Sequence, residues 1–177
     1  MRKLRLYVQN NKVDSVRVDM GKAELAPEKI PVRLPGEQVI NSPVFFNGKL
    51  YHITCVSMGN PHCVIICDNL ERLQIAEVGP VIENSPIFPE RVNVEFVTII
   101  DKNTIKVRVW ERGSGETLAA GTSACAAAVA AVLNGWCEKN RHILVKMDGG
   151  DLAVRYTDEG VYMTGRPVKV FEGVVEI

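Results

Sequence analysis

The sequence has few aromatic residues, no surplus of either charge and no long apolar run, and each absence excludes a class of function. Only 6% of the 177 residues are aromatic, so we expect no stacking platform for single-stranded nucleic acid. The 21 basic residues balance the 21 acidic ones, which removes the electrostatic argument for nucleic acid or an anionic membrane as a partner. Without an apolar run of about 18 residues or a charged-then-apolar leader, we expect neither a membrane span nor a secretory signal.

The sequence also lacks any Cys-x-x-Cys pair, which makes a zinc ribbon an unexpected interpretation. Its cysteines are odd in number, and most lie in apolar segments. Thiols of this kind favour a reduced, cytoplasmic protein. The five cysteines are Cys55, Cys63, Cys67, Cys125 and Cys137.

Strand patterns dominate the first part of the chain. Alternation of apolar and polar residues predicts a hairpin of half-buried strands over residues 1–8 and 13–19. Asn47-Gly48 between two apolar arms predicts a second hairpin. The continuous apolar run over residues 63–67 is typical of a strand buried on both faces.

The remaining pattern predicts further strands and one short helix. The helix is expected over residues 70–78, with Asp68 or Asn69 as its cap and Pro80 in the connection that follows. Because most strands are neighbours along the chain, antiparallel pairing should prevail. The other predicted strands cover residues 92–100, 105–110, 142–147, 152–156, 161–164 and 168–175.

An alanine-rich helix between Gly121 and Asn134 is the main helical element expected from the sequence. Thr122 or Ser123 can cap its start, and Gly135 can close its end. Its first backbone N–H groups suit a carboxylate or a phosphate, although a tightly packed core helix is the simpler interpretation. The sequence therefore predicts an α+β fold in which a mostly antiparallel, barrel-like sheet wraps around this helix.

Polar residues interrupt the apolar pattern at strand and turn ends. Taken singly, they fit turn residues, a structural histidine or an exposed ion pair. Taken together, their amide, guanidinium and carboxylate groups and the helix start are what a zwitterionic amino acid needs for its orientation. These residues are Asn60, His62, Asn93, Glu111, Arg112, Gly121 and Thr122.

Three motifs resemble the signatures of the diaminopimelate epimerase family. They are SMGNPHC at residues 57–63, FPERVN at residues 88–93 and ERGSGET at residues 111–117, and YMTG at residues 162–165 fits as well. The resemblance runs from about Asp19 to Ile177.

This resemblance implies one half of a fold built from two similar halves, with the active site between them. Residues 19–166 would form the C-terminal domain, and residues 1–18 the last hairpin of an absent N-terminal half. Residues 167–177 would form a strand that crosses back toward that half. Phe171 stands where the family usually has a tyrosine at the dimer contact, so we expect a homodimer.

The chemistry implied is epimerisation of diaminopimelate from the LL to the meso form, a step toward lysine and cell-wall precursors. Two cysteines on opposite sides of the α-carbon exchange its proton, without pyridoxal phosphate, metal or other cofactor. His62 and Glu111 match residues that tune these thiols.

The resemblance also assigns substrate contacts. Asn60, Asn93 and Arg112 match positions that hold the distal end of the substrate, and Glu111 matches one that contacts its ammonium group. The N–H groups of Gly121 and Thr122 match those that hold the α-carboxylate.

Ala120 departs from the family pattern, because this position carries one of the two thiols. The other thiol belongs to the absent half, so we expect this chain alone to be inactive. Cys125 lies about 7.5 Å further along the helix and roughly 140° around it, so it cannot take the place of that thiol. Three origins are compatible with Ala120: an engineered change, a natural pseudoenzyme, or a damaged and split gene.

Two other functions are compatible with the sequence. One is a non-catalytic domain for amino-acid binding or assembly, which keeps the carboxylate-holding helix start. The other is a related isomerase that uses a carboxylate base, which is disfavoured because nothing acidic replaces Ala120.

Overall fold

A computed structural model of the chain describes residues 3–176. Met1, Arg2 and Ile177 lie outside this range, so the outermost residues of the predicted segments 1–18 and 167–177 are not described. The described part contains eleven β-strands, two α-helices and one short 3-10 helix at Pro27–Lys29.

Residues 3–176 contain many strands and only two α-helices, as expected for an α+β fold. The helices are α1 (Ile75–Glu83) and α2 (Gly121–Leu133). The strands are β1 (Leu4–Gln9), β2 (Lys12–Gly21), β3 (Ser42–Phe46), β4 (Lys49–Ser57), β5 (Pro61–Ile66), β6 (Asn93–Asp101), β7 (Thr104–Glu111), β8 (Gly115–Thr117), β9 (His142–Met147), β10 (Gly150–Tyr156) and β11 (Val161–Gly165).

All eleven strands belong to one mixed sheet. Its order is β1-β2-β11-β10-β9-β7-β6-β5-β4-β3, with β8 paired to β7. Pairing is antiparallel except between β5 and β6 and between β7 and β9. The α+β prediction is confirmed, but the sheet is open within residues 3–176, because its path ends at the unpaired edges of β1 and β3.

The alanine-rich helix α2 lies at the centre of one hydrophobic core. Every residue from Ala124 to Ala131 is fully buried, and the helix contacts seven strands, namely β4, β5, β6, β7, β9, β10 and β11. Small side chains let these strands approach the helix from several directions, which is how a sheet can wrap around it. The many alanines of α2 thus allow these seven strands to pack closely around it.

A second core lies on the other face of β4, β5 and β6. In β5, Cys63 and Ile65 point into this second core while Val64 points toward α2. The prediction that this apolar run is buried on both faces is confirmed. The short helix α1 covers part of the second core through Ile75 and Ile82.

The prediction for the short helix was wrong in its position. Asn69 Oδ1 accepts from the backbone N–H groups of Glu71 and Arg72 and so caps a turn, while α1 begins at Ile75. Pro80 lies inside α1 rather than after it. The buried stripe of Ile75, Gly79 and Ile82 outweighs the proline, because tertiary packing decides marginal helices.

Two strand predictions at the chain ends need correction. Residues 168–175 adopt no strand, and Val168, Val170 and Phe171 are exposed. A strand needs a neighbour for its hydrogen bonds, and within residues 3–176 none pairs with this segment. The first hairpin is confirmed, but Leu4 and Leu6 are exposed rather than half-buried, because neither core cluster extends to β1.

The Asn47-Gly48 hairpin is confirmed. Asn47 has φ 46° and Gly48 has φ 77°, which is the left-handed geometry of a two-residue type I′ turn. Within residues 3–176, no helix has the length and apolar character needed to cross a membrane.

Candidate active site

The parallel pairing of β5 with β6 organises the site. Its register places His62 directly beside Asn93 at the start of both strands. The turn that carries Asn60 precedes β5, and Gly59 adopts φ 96° there, a conformation that favours glycine. Polar residues from two motifs are therefore gathered at one end of the sheet.

His62 forms a fully buried pair with Glu95. Its Nδ1 lies 2.7 Å from Glu95 Oε1, and both side chains have 0% exposure. The other carboxylate oxygen, Glu95 Oε2, has no hydrogen-bond partner among the described residues. Glu95 is not among the residues predicted for the site, although a charged residue within the apolar strand β6 is a signal that could have revealed it.

Asn60 links His62 to the start of α2. Asn60 Oδ1 lies 3.0 Å from His62 Nε2, and Asn60 Nδ2 donates to Thr122 Oγ1 at 3.4 Å. Residues that are 62 positions apart in the sequence are therefore connected through one amide side chain. This contact joins the β5 motif to the alanine-rich helix.

Asn93 holds the loop after β7. Its Nδ2 donates to Pro61 O at 3.0 Å, and its Oδ1 accepts from the backbone N–H of Arg112 at 3.0 Å. The Arg112 guanidinium donates to Glu90 O at 2.9 Å. Asn93 is buried, and its amide connects β5 to this loop through these two hydrogen bonds.

A second buried carboxylate, Glu83, supports the same loop from α1. It accepts hydrogen bonds from Trp110 Nε1 at 2.7 Å and from the Gly113 backbone N–H at 2.9 Å, and it pairs with Arg91 at 3.2 Å. Glu83 is not among the predicted residues either, because nothing near it in the sequence predicts three partners from separate segments.

The start of α2 differs in detail from the prediction. Ala120 is the N-cap residue, with extended backbone and no side-chain cap, and Ala124 N–H donates to Ala120 O at 2.9 Å. Thr122 and Ser123 lie inside the first turn, so their predicted capping role was wrong. At the other end, Gly135 adopts φ 76° and its N–H donates to Val132 O, so the predicted closure is confirmed.

Gly121 is the first residue of α2, and its position leaves little space. A Cβ atom at Gly121 would lie 3.2 Å from Met163 Sδ, a close approach for any side chain. Together with Thr122 it offers the backbone N–H groups of a helix N-terminus, which favour a carboxylate. The geometry suits the binding of an anion beside Ala120.

Comparison with known proteins identifies the family of this chain. The profile of the family described as diaminopimelate epimerase matches residues 54–170. The chain belongs to the diaminopimelate epimerase family. The resemblance inferred from its motifs is thereby confirmed.

Individual relatives agree with this assignment. The chain is 51% identical over 176 residues to a diaminopimelate epimerase of Acetivibrio thermocellus, covering 98% of this chain and 62% of the relative. It is 46% identical over 173 residues to one of Moorella thermoacetica, covering 97% of this chain and 61% of the relative. The chain thus spans about three fifths of the length of these curated relatives.

Solved structures with low identity show the fold alone. A probable proline racemase from Agrobacterium radiobacter matches with a TM-score of 0.68 and 11% identity, over 93% of this chain and 54% of that one. A hydroxyproline epimerase from Agrobacterium vitis matches with a TM-score of 0.63 and 12% identity, over 91% of this chain and 52% of that one.

Four of the five thiols of this diaminopimelate epimerase homologue are buried, and Cys67 is half-buried. All five cysteines are among the described residues, and none forms a disulfide. Burial raises the pKa of Cys63, with further contributions from Cys55 and Glu95, and burial raises the pKa of Cys67 as well. Burial also raises the pKa of Cys137 to about 11, and Cys125 is fully buried within α2.

Most of the candidate residues lie together in the structure. One set of hydrogen bonds connects His62, Asn60 and Thr122, and another connects Asn93 with Arg112. The register of β5 and β6 places these two sets side by side. Glu111 is partly buried at the end of β7, beside Arg112. Phe171 is 82% exposed in the segment after β11, and its dimer role stays a prediction.

Proposed function

We propose that this chain is the substrate-binding half of a cofactor-independent epimerase that acts at the α-carbon of diaminopimelate. Membership of the diaminopimelate epimerase family supplies the reaction class. The observation that carries the proposal is the direct link between the Asn60 amide and Thr122 at the start of α2. It brings a polar side chain of the β5 motif to the helix N–H groups.

In this proposal, the two ends of the substrate meet different groups. The α-carboxylate accepts hydrogen bonds from the N–H groups of Gly121 and Thr122, where the helix dipole favours negative charge. The same donors stabilise the charge that develops as the α-proton leaves. Asn60, Asn93 and Arg112 contact the distal carboxylate or ammonium group, and Glu111 contacts an ammonium group.

The chain by itself does not catalyse the reaction under this proposal. Ala120 places a methyl group where a thiol would face the α-carbon, and the second thiol would come from an N-terminal half. Loss of one positioned base typically lowers a rate by about 10²- to 10⁴-fold. The complete protein in this view is a cytoplasmic homodimer, with contacts through residues 167–177 and Phe171.

Binding is tested by NMR titration of the ¹⁵N-labelled chain with diaminopimelate. The amide signals of Gly121 and Thr122 should shift in a saturable manner, because the bound carboxylate accepts from them. The signals of Asn134 and Gly135, at the far end of α2, serve as the internal control. If only the far end responds, or neither end does, the proposed carboxylate site is wrong.

Catalysis is tested by restoring the thiol. The Ala120→Cys variant, mixed with the separately expressed N-terminal half of the Acetivibrio thermocellus relative, should exchange the α-hydrogen of diaminopimelate with deuterium from the solvent. Ala119→Cys is the matched control, since it adds the same thiol one residue away. A folded, associated mixture without exchange above this control would count against the epimerase assignment.

A non-catalytic binding or assembly domain is the second candidate. The observation that favours it is that Ala120, which has no acid-base group, lies near a side-chain network from His62 to Thr122 that is in place. It predicts saturable diaminopimelate binding by the unsubstituted chain together with no exchange in the Ala120→Cys mixture. The two experiments therefore separate the two functions.

A further inference from the structure

One chain of hydrogen-bonding side chains runs from the buried strand β6 to the first turn of α2. It passes from Glu95 to His62, from His62 to Asn60 and from Asn60 to Thr122, with separations of 2.7, 3.0 and 3.4 Å. Only its last members are partly exposed. The direction in which each hydrogen points decides what the outer end offers to a ligand.

Burial of the first pair sets its proton count. Both Glu95 and His62 are inaccessible to solvent, and Glu95 Oε2 has no partner among the described residues. An ionised carboxylate beside a neutral imidazole would leave a net charge in this apolar setting, which is costly. The pair avoids that cost when it holds two hydrogens, one on Nε2 and one between Nδ1 and Oε1.

The orientation of the Asn60 amide in the structure agrees with this proton count. Its Oδ1 faces His62 Nε2 at 3.0 Å, and an amide oxygen can only accept a hydrogen bond. In this orientation of the Asn60 amide, Nε2 therefore carries a hydrogen. Since Nδ1 faces the carboxylate, the second hydrogen lies between these two groups.

We propose that Glu95 is a positioning residue that acts through His62 and Asn60 on the hydroxyl of Thr122. With Nε2–H donating to Asn60 Oδ1, the amide Nδ2 donates to Thr122 Oγ1, and the hydroxyl hydrogen is left to donate to an anion at the start of α2. The direction of these hydrogen bonds does not depend on the proposed function. Only the identity of the anion, the substrate carboxylate, rests on the proposed function.

The opposite direction would produce a different site. If His62 carried a hydrogen on Nδ1 alone, Nε2 would accept from the Asn60 amide, and Asn60 Oδ1 would accept the Thr122 hydroxyl hydrogen. The helix start would then lose its side-chain donor. The two arrangements differ by a half-turn of the Asn60 amide, which exchanges Oδ1 and Nδ2 and leaves the heavy-atom positions the same. A structural role alone therefore does not distinguish them.

The direction of the hydrogen bonds is measured by NMR, in the absence of ligand, on the protein labelled with ¹⁵N-histidine. We expect His62 to show a bonded hydrogen on Nε2 and a low-field hydrogen shared between Nδ1 and Glu95. In Glu95→Gln, one of these two hydrogens should disappear. The exposed His52 and His142 are internal references, and Glu37→Gln, at an exposed position, is the matched control that should leave His62 unchanged.

Two results would overturn the proposal. The first is an Nε2 atom without hydrogen in the unsubstituted chain, and the second is a Glu95→Gln variant that keeps both hydrogens on His62. Neither result depends on substrate binding, so failure here is distinguishable from failure of the proposed function.

The role of the Thr122 hydroxyl is tested by measuring the affinity for diaminopimelate. Thr122→Val removes the hydroxyl donor and should weaken binding by roughly threefold to tenfold. Thr122→Ser restores the hydroxyl and should recover most of that loss. Equal affinities for the valine and serine variants would show that the hydroxyl donates nothing to the ligand and would contradict the proposed direction.

Discussion

At the residue scale, His62 and Glu95 share an environment that few ionisable side chains occupy. Each is fully buried, and they lie 33 residues apart in the sequence but 2.7 Å apart in space. Removal of one partner leaves the other without its hydrogen bond in the protein interior. The free energy of unfolding should therefore depend strongly on whether one or both are replaced.

His62→Leu or Glu95→Leu alone should lower the free energy of unfolding by about 3–5 kcal/mol, because each leaves a buried polar partner unpaired. The double leucine variant should be more stable than the less stable single variant. Urea unfolding of the four proteins measures this coupling. The exposed pair of Lys106 and Glu71 is the control, and comparable coupling there would contradict the role assigned to burial.

At the element scale, α1 shows how one glycine permits a close contact between a helix and a strand. A Cβ atom on Gly79 would lie 2.5 Å from two ring atoms of Trp110. The same helix carries Glu83, which holds Trp110 Nε1 and the Gly113 backbone N–H. The helix α1 thus packs against β7 and also supports, through Glu83, the loop that carries Arg112.

Gly79→Ala should lower the free energy of unfolding by about 1–3 kcal/mol, because the added methyl group forces α1 away from the Trp110 ring. Glu77→Ala is the control, since Glu77 is exposed on the same helix. Thermal or urea unfolding provides the measurement. A Gly79→Ala variant as stable as the control would show that α1 moves without cost.

At the scale of the whole molecule, the described fold buries four of its five thiols and leaves Cys67 half-buried. Burial raises the pKa values of Cys63, Cys67 and Cys137, the last to about 11. Thiolate forms only as the pH rises toward the pKa. At pH 8, a thiol with a pKa of about 11 is therefore ionised in only about one molecule in 10³.

The native chain should therefore react slowly with iodoacetamide at pH 8, and Ala120→Cys should add one rapidly reacting thiol. A helix N-terminus stabilises thiolate, so its half-maximal rate should occur at a lower pH than that of Ala119→Cys. Mass spectrometry of the alkylated chain over pH 6–10, a range of about two units around an ordinary thiol pKa, gives both rates. A higher midpoint for Ala120→Cys would exclude a helix-stabilised thiolate at this position.

The sequence by itself determined the features that depend on near neighbours along the chain. The Asn47-Gly48 turn, the alanine-rich helix and most strands follow from local backbone preference and from the spacing of apolar residues. The family also followed from the sequence, because its motifs are short contiguous stretches. The same local reasoning placed the predicted short helix too early and predicted a strand over residues 168–175.

Only the tertiary structure decided which distant residues became partners. Nothing near Glu95 in the sequence predicts His62, and nothing near Glu83 predicts Trp110 or the Gly113 backbone. These contacts arise because the order and register of the strands bring segments together after the chain has folded. Burial then makes each contact matter, since a buried polar group without a partner is costly. Local patterns can therefore indicate where polar groups occur, while the sheet determines which of them meet.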